Sequence, residues 1–264
     1  MIDDISLLTL AFASSLVLAN GLLSFFLQLG LGRQLLVAAL RMIVQLFLVG
    51  WILTALFSQV SLWLTLLVAL VMLMFAGYEI RSRQKRRFTG HWGFSLGISA
   101  MLVSAFVVTV LALTAFLPAD PWYHPRFAIP LLGMILGNTM TGISLGLNTL
   151  TTGAQRDVAG IEAQLTLGAS MKTAMRPVSR DALRTGLMPI VNAMAATGVV
   201  SLPGMMTGQI LSGVEPAVAV KYQLLIMFLI AGATALGVLI AVFIGMYRLT
   251  DERQRLRLDR LDVE

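Results

Sequence analysis

A chain of 264 residues that is 58% hydrophobic and only 12% charged, with a mean hydropathy of +0.86, excludes an ordinary soluble domain, whose charged fraction is about twice as large. A net charge of +6 would suit nucleic acid in a soluble protein; in a membrane chain basic residues report which side a loop faces, and no nucleic-acid partner is expected. There is no cysteine, which removes disulfides and thiolate metal sites together.

At the N-terminus, Asp3 and Asp4 stand where a secretion signal would be positive, and the apolar run behind them is too long for one, so it is a retained span. Seven apolar blocks follow in all, roughly 5–29, 35–57, 62–78, 92–117, 127–150, 187–211 and 219–247. Each is near the length of about 20 residues that crosses a hydrocarbon core as helix. All must be helical, because open strands leave backbone groups unsatisfied in lipid. With the N-terminus outside, sixteen basic residues fall on one side: Arg33, the 81–87 cluster, the five of the 151–186 stretch and the five of the 248–264 tail. Only Arg126 and Lys221 fall on the other, so the first side is cytoplasmic. The expectation is an all-α, polytopic membrane protein, one domain over 1–264, with its C-terminus in the cytoplasm.

Trp51, Trp63, Trp92, Trp122, Tyr123 and Tyr247 lie near block ends, as interfacial aromatics do. The outer loop 118–125 holds three prolines and is too small for a receptor domain. The tail from Thr250 mixes charge signs and reads as a solvated helix or a frayed end.

Within the second block, Gln34, Arg41 and Gln45 share a helical stripe. Arginine at membrane depth is costly, so Arg41 with Gln45 is either a pathway or gating pair or a packing cation. In the fifth block, Gly133 with Gly137 and Gly142 with Gly146 are small-residue pairs that let helices approach. Asn138, Thr141 and Asn148 share a face there and are candidates for lining a cavity, because an amide in lipid is unsatisfied. In the sixth, Ser201, Pro203, Gly204, Met205, Met206 and Thr207 sit where proline removes a helix hydrogen bond. The span should kink or break at Pro203, with Ser201, Thr207 and Gln209 repairing the freed groups.

No acidic residue falls in the middle of a block, and His91 and His124 are at edges. A proton-coupled carrier normally needs an ionisable relay in the membrane, and there is no Walker A sequence for nucleotide. Energy must then come from another chain. The same absence leaves no residue cluster for a tight metal site.

The stretch 151–186 is the longest without a membrane-length apolar run. Its middle, Ile161 to Leu167, is made of good helix formers, with Gly168 where a left-handed cap is wanted. Glu162, Ala163 and Gly168 are similar to the pattern by which bacterial ATP-driven permeases couple to their ATPase, although the Leu-Pro expected further on falls on Arg180-Asp181. The alternative is a solvated basic loop obeying the positive-inside rule.

The chain resembles the FetB-type permeases, a family that includes a bacterial iron-exporting ABC transporter subunit and plant aluminium-tolerance proteins. Carrying the resemblance are Arg41, Gln45 and Gly50; Gly133 to Ile135 with Gly137 to Met140; Glu162 with Leu167-Gly168-Ala169; the block Ser201 to Gly208; and Gly213, Pro216 and Lys221 to Gln223. It covers nearly the whole sequence. The resemblance implies a non-catalytic subunit in the bacterial inner membrane, paired with a second copy of itself and with two ATPase subunits that hold ATP and Mg. It implies coupling through Glu162, Ala163, Leu167, Gly168 and Ala169, iron export as the role, and no cofactor on this chain. For some plant relatives it implies a sugar nucleotide instead.

Overall fold

The computed structural model describes residues 6–117 and 120–263; Asp3, Asp4 and Pro118 lie outside them. The chain divides into two units, Met1–Val60 and Ser61–Glu264.

The first unit is a hairpin of α1 (Leu7–Phe26) and α2 (Gly32–Ser58). Ser6 caps α1, its hydroxyl accepting the Thr9 N–H at 3.2 Å, one of the donors a first turn leaves unpaired. The turn passes through Gln28 and Gly30 at positive φ. It is fastened by the buried Ser24, whose Oγ accepts the Leu31 N–H at 3.0 Å. Among the described residues of this unit only Ser24 and Leu56 are buried. Phe25, Phe47 and Trp51 of this hairpin are all exposed, an apolar surface that suits lipid and that Arg41 and Gln45 interrupt on α2.

The second unit runs α3 (Leu62–Ser82), β1 (Arg86–Phe88), α4 (Trp92–Phe116), α5 (Pro125–Arg156), α6 (Val158–Thr166), α7 (Met171–Ala174), α8 (Arg176–Ala196), α9 (Gly204–Leu211), α10 (Pro216–Arg248) and β2 (Leu261–Val263). In α4 the stretches Leu102–Phe106 and Ala112–Phe116 widen to π-helix, a feature the periodicity did not announce. The core gathers on α5, which packs against α3, α8 and α10 and fully buries Ile135, Ile143, Leu147 and Leu150.

Among the described residues six helices, α1 to α5 and α10, are long and apolar enough to cross a membrane. The expected sixth block is not a continuous span. α8 opens with Arg176, Arg180, Asp181 and Arg184 and stops at Ala196, so its apolar part, from Leu187 on, is too short to cross alone.

α8 runs antiparallel to α5, with Val178 beside Gly153, Ala182 beside Gly146 and Gly186 against Gly142. A Cβ on Gly142 would fall 2.8 Å from the Gly186 carbonyl oxygen and 2.9 Å from Thr234 Cγ2 on α10. The helices therefore touch backbone to backbone. Gly137, by contrast, has nothing within 4 Å, so of the two expected glycine pairs only Gly142 with Gly146 packs helices closely.

The tail is neither a solvated α-helix nor a frayed end; apart from a 3-10 turn at Leu258–Arg260 it is a folded-back, largely extended segment. Arg255-Leu256-Arg257-Leu258 alternates with period two, the pattern of extended chain. After α10 the chain turns at Asp251, returns, and pairs β2 antiparallel with β1, Phe88 opposite Leu261. Phe88 and Leu249 are fully buried beneath. The Arg260 guanidinium donates to the Arg248 and Thr250 carbonyl oxygens at 2.8 and 3.2 Å, satisfying acceptors that a helix end leaves open. Asp251 accepts the Arg253 and Arg255 N–H groups at 3.0 and 2.9 Å. This turn holds Gln254 at φ 58° with its Oε1 accepting the Met171 N–H of α7 at 2.7 Å.

Two tail carboxyls titrate below their ordinary value of 3.8. The Arg255 backbone N–H lowers Asp251, and the side-chain hydrogen bond from Arg257 lowers Asp259 to about 2. A depressed carboxyl contributes its full stability above the unfolded value and loses it as pH falls through the folded one. Amide protection of residues 249–263, corrected for intrinsic exchange, should hold from about pH 8 to 5 and fall only below about pH 4. Loss by pH 6 would mean that other groups fasten the tail.

Candidate functional site

In the second unit the basic residues converge on one end. The Lys85 N–H donates to Asn148 Oδ1 at 3.3 Å, the Arg248 guanidinium lies 4.5 Å from the centre of the Trp92 ring, and Gln254 reaches Met171. Arg126 and Lys221 stand near the starts of α5 and α10, at the other end.

The stretch 151–186 is not a loop at either end, since α5 runs to Arg156 and α8 begins at Arg176. Asp157 alone joins α5 to α6, serving as C-cap of the first and N-cap of the second. α6 is the short helix expected here. Ile161 on its inner face is fully buried, while Glu162 and Ala163 are exposed. Leu167 at the tip is 87% exposed. Gly168 follows at φ 87°, its N–H bonding the Leu165 carbonyl and the Ala169 N–H that of Gln164, both at 3.0 Å. These two bonds make a Schellman cap, whose left-handed position favours glycine. Ser170 then caps α7, and Met171, Ala174 and Met175 are buried. α6 is thus a knob anchored on both sides with a leucine at its tip.

Beside the hinge lies a cavity of about 620 Å³, walled by Asn148, Thr149, Thr152 and Arg156 of α5, with Asp157, Asp181 of α8 and Lys85. Sequence reasoning missed it. Its charges looked like solvated loop charges, and only the antiparallel pairing of α5 with α8 brings Asp181 opposite Thr149 and Thr152.

The expected pathway residues occupy separate elements. Arg41 and Gln45 are exposed on adjacent turns of α2, in the first unit. In the second, Asn138 Nδ2 donates to the Met134 carbonyl at 2.8 Å and Thr141 Oγ1 to that of Gly137 at 3.0 Å. Both satisfy part of their polarity within α5, on the face that Gly137 leaves open.

The sixth block is broken, and the break begins before Pro203. α8 ends at Ala196 with Thr197 as its C-cap, Gly198 takes φ 91°, and the Val200 and Ser201 N–H groups both reach the Ala196 carbonyl, at 3.0 and 3.1 Å. Ser201 is exposed and bridges back to Thr197. Pro203 is the extended cap of α9, so it starts a helix rather than kinking one, and Gly204 is that helix's first residue. The side-chain repair expected here comes from Thr207 and not from Gln209: Thr207 Oγ1 donates to the Pro203 and Gly204 carbonyls at 3.3 and 2.9 Å, while the buried Gln209 Oε1 has no partner among the described residues. Met205, Met206 and Thr207 are half-buried, Met205 against the core.

Residues 7–250 match the model of a family described as Uncharacterised protein family (UPF0014). The chain belongs to the UPF0014 family. Among UPF0014 relatives it is 41% identical over 223 residues to the UPF0014 membrane protein slr1647 of Synechocystis sp., covering 83% of this chain and 84% of that one. It is 32% identical over 253 residues to the Probable iron export permease protein FetB of Escherichia coli, covering 96% and 95%. It is 28% identical over 234 residues to the Protein ALUMINUM SENSITIVE 3 of Arabidopsis thaliana, covering 89% and 84%. No solved structure matches it. The helices and the family together make this UPF0014 chain an all-α, multi-pass membrane protein.

Proposed function

We propose that this chain is the membrane subunit of an ATP-driven ABC-type transporter in the bacterial inner membrane, exporting iron with energy from a separate ATPase. A relative named as a permease points to transport rather than catalysis, and iron export comes from the name of that same relative. The observation that carries the coupling is the α6 knob, with Leu167 87% exposed at its tip and Gly168 in the left-handed cap.

The described acids also argue for an outside motor. Glu79 is buried but only one turn from the end of α3, paired with Arg83 at 3.3 Å, so no acid is placed to relay protons mid-membrane. In the proposed cycle, ATP and Mg close the partner ATPase pair and α6 moves with it. Asp157 passes that displacement to α5, and the backbone contact at Gly142 and Gly186 carries α8 along. The break at 197–203 lets α8 move relative to α9. Two copies of this chain and two ATPases form the unit, with Asn138, Thr141 and the Ser201 to Thr207 segment of the second unit lining or gating the path.

Reconstitution tests this. The chain alone in liposomes should move no iron uphill, and the chain with its ATPase should do so only with hydrolysable ATP. Uphill transport by the chain alone would overturn the reading.

A further inference from the structure

Four charged side chains border the cavity beside the hinge: Lys85, Arg156, Asp157 and Asp181. Among the described residues none of the four makes an ion pair, although two of each sign share one space. The walls that hold them are set by packing. Gly153 brings α5 so close to α8 that a Cβ there would lie 2.9 Å from Val178 Cγ1. Lys85 is positioned by its own N–H on Asn148.

A cavity of net zero charge selects against simple ions. A small anion meets two carboxylates, and a bare multivalent cation meets two fixed positive charges. No third metal-ligating side chain joins the two acids to replace a hydration shell, since no cluster of three or more His, Cys, Asp or Glu occurs among the described residues. A volume of about 620 Å³ is many times the roughly 30 Å³ that one water occupies in the liquid. It lies within the about 300–1,000 Å³ of small-molecule sites. A solute that suits these walls is compact and presents both anionic oxygens and hydrogen-bond donors: a multivalent cation already wrapped in oxygen ligands, with metal-bound water or hydroxyls at its surface.

We propose that this cavity is the loading site for such a chelate. Lys85 and Arg156 hold the chelator's carboxylate or phosphate oxygens. Asp157 and Asp181 accept hydrogen bonds from metal-bound water or chelator hydroxyls. Thr149, Thr152 and Asn148 complete the lining. Because Asp157 is also the hinge of α6, an occupant touches the residue through which the ATPase would push. The proposal rests on the permease reading for its cargo and deepens it.

The test uses the full chain in nanodiscs without ATPase or nucleotide. Binding of radiolabelled ferric citrate is compared with that of citrate alone and of free ferrous ion. Ferric citrate should bind at least tenfold more tightly than either citrate or free ferrous ion, and Arg156→Gln and Asp181→Asn should each weaken it tenfold or more with thermal stability unchanged. Should one variant fail to fold, the other decides. Equal binding of chelate and free metal, no binding, or binding indifferent to the folded variants overturns the loading site. If ATP-dependent transport persists without chelate binding, the permease reading stands and this site falls. If the chelate binds yet the chain pumps without an ATPase, the reverse holds.

Discussion

Leucine at Gly186 should leave almost no folded protein in the membrane. Its Cβ would lie 2.7 Å from Val238 Cγ1 and 2.9 Å from the Gly142 carbonyl oxygen, and the rest of a leucine has nowhere to go. Overpacking a core costs typically 1–3 kcal/mol when neighbours can shift. Here one neighbour is backbone in the central helix, which moves only if the α5–α8 crossing opens, so about 3 kcal/mol or more is expected. Gly142→Leu should behave alike, because the contact is reciprocal. Gly137→Leu, five residues from Gly142 on the same helix but with open space around it, should change stability by no more than about 0.5 kcal/mol. Thermal unfolding in detergent and the amount of protein in membranes read the contrast. Equal losses at Gly137 and Gly186 would mean that α5 and α8 do not cross at these residues.

Leu167→Asp should abolish ATP-driven transport, at least tenfold, while leaving folding untouched. A leucine 87% exposed at the tip of a capped helix contributes little to its own chain's core, so replacing it removes only what an ATPase surface would grip. Gly168→Leu should uncouple too, by another route. A side chain in left-handed geometry costs about 1–2 kcal/mol, which loosens the cap and lets the tip that an ATPase would grip move without carrying the rest of α6. Transport per ATP hydrolysed, measured in proteoliposomes with the ATPase present, separates coupling from expression. Wild-type coupling in Leu167→Asp would remove α6 from the mechanism.

Local chemistry and lipid length were legible in the sequence; long-range pairing was not. The α6 helix and its Gly168 cap could be read because five or six neighbouring residues determine them. The long apolar helices could be read because lipid allows nothing else, and the family resemblance rested on those same segments. The break was placed at Pro203 because proline is the loudest local signal, yet the helix had already ended at Thr197 and Gly198, and proline merely opened the next one. Among the glycines of the fifth block nothing local distinguishes Gly137 from Gly142; the difference is Gly186, which lay in a stretch read as loop. The tail was misread because its charges were counted while Leu256, Leu258 and Leu261, which pack against the core, were not. The cavity belongs to the same class, since Asp181 acquires a partner surface only when α8 lies along α5.

The pairing of β2 with β1 also orders events during synthesis. Every membrane-length helix is complete once Arg248 has been made, yet Gln254 is what fastens α7, immediately behind the knob that would meet the ATPase. Completing the long helices and fastening α7 are therefore separate steps, the second waiting on residues beyond Arg248. A polypeptide cut short near residue 250 would keep every described membrane-length helix yet lack both the β1–β2 pairing and the Gln254 bond that holds the start of α7.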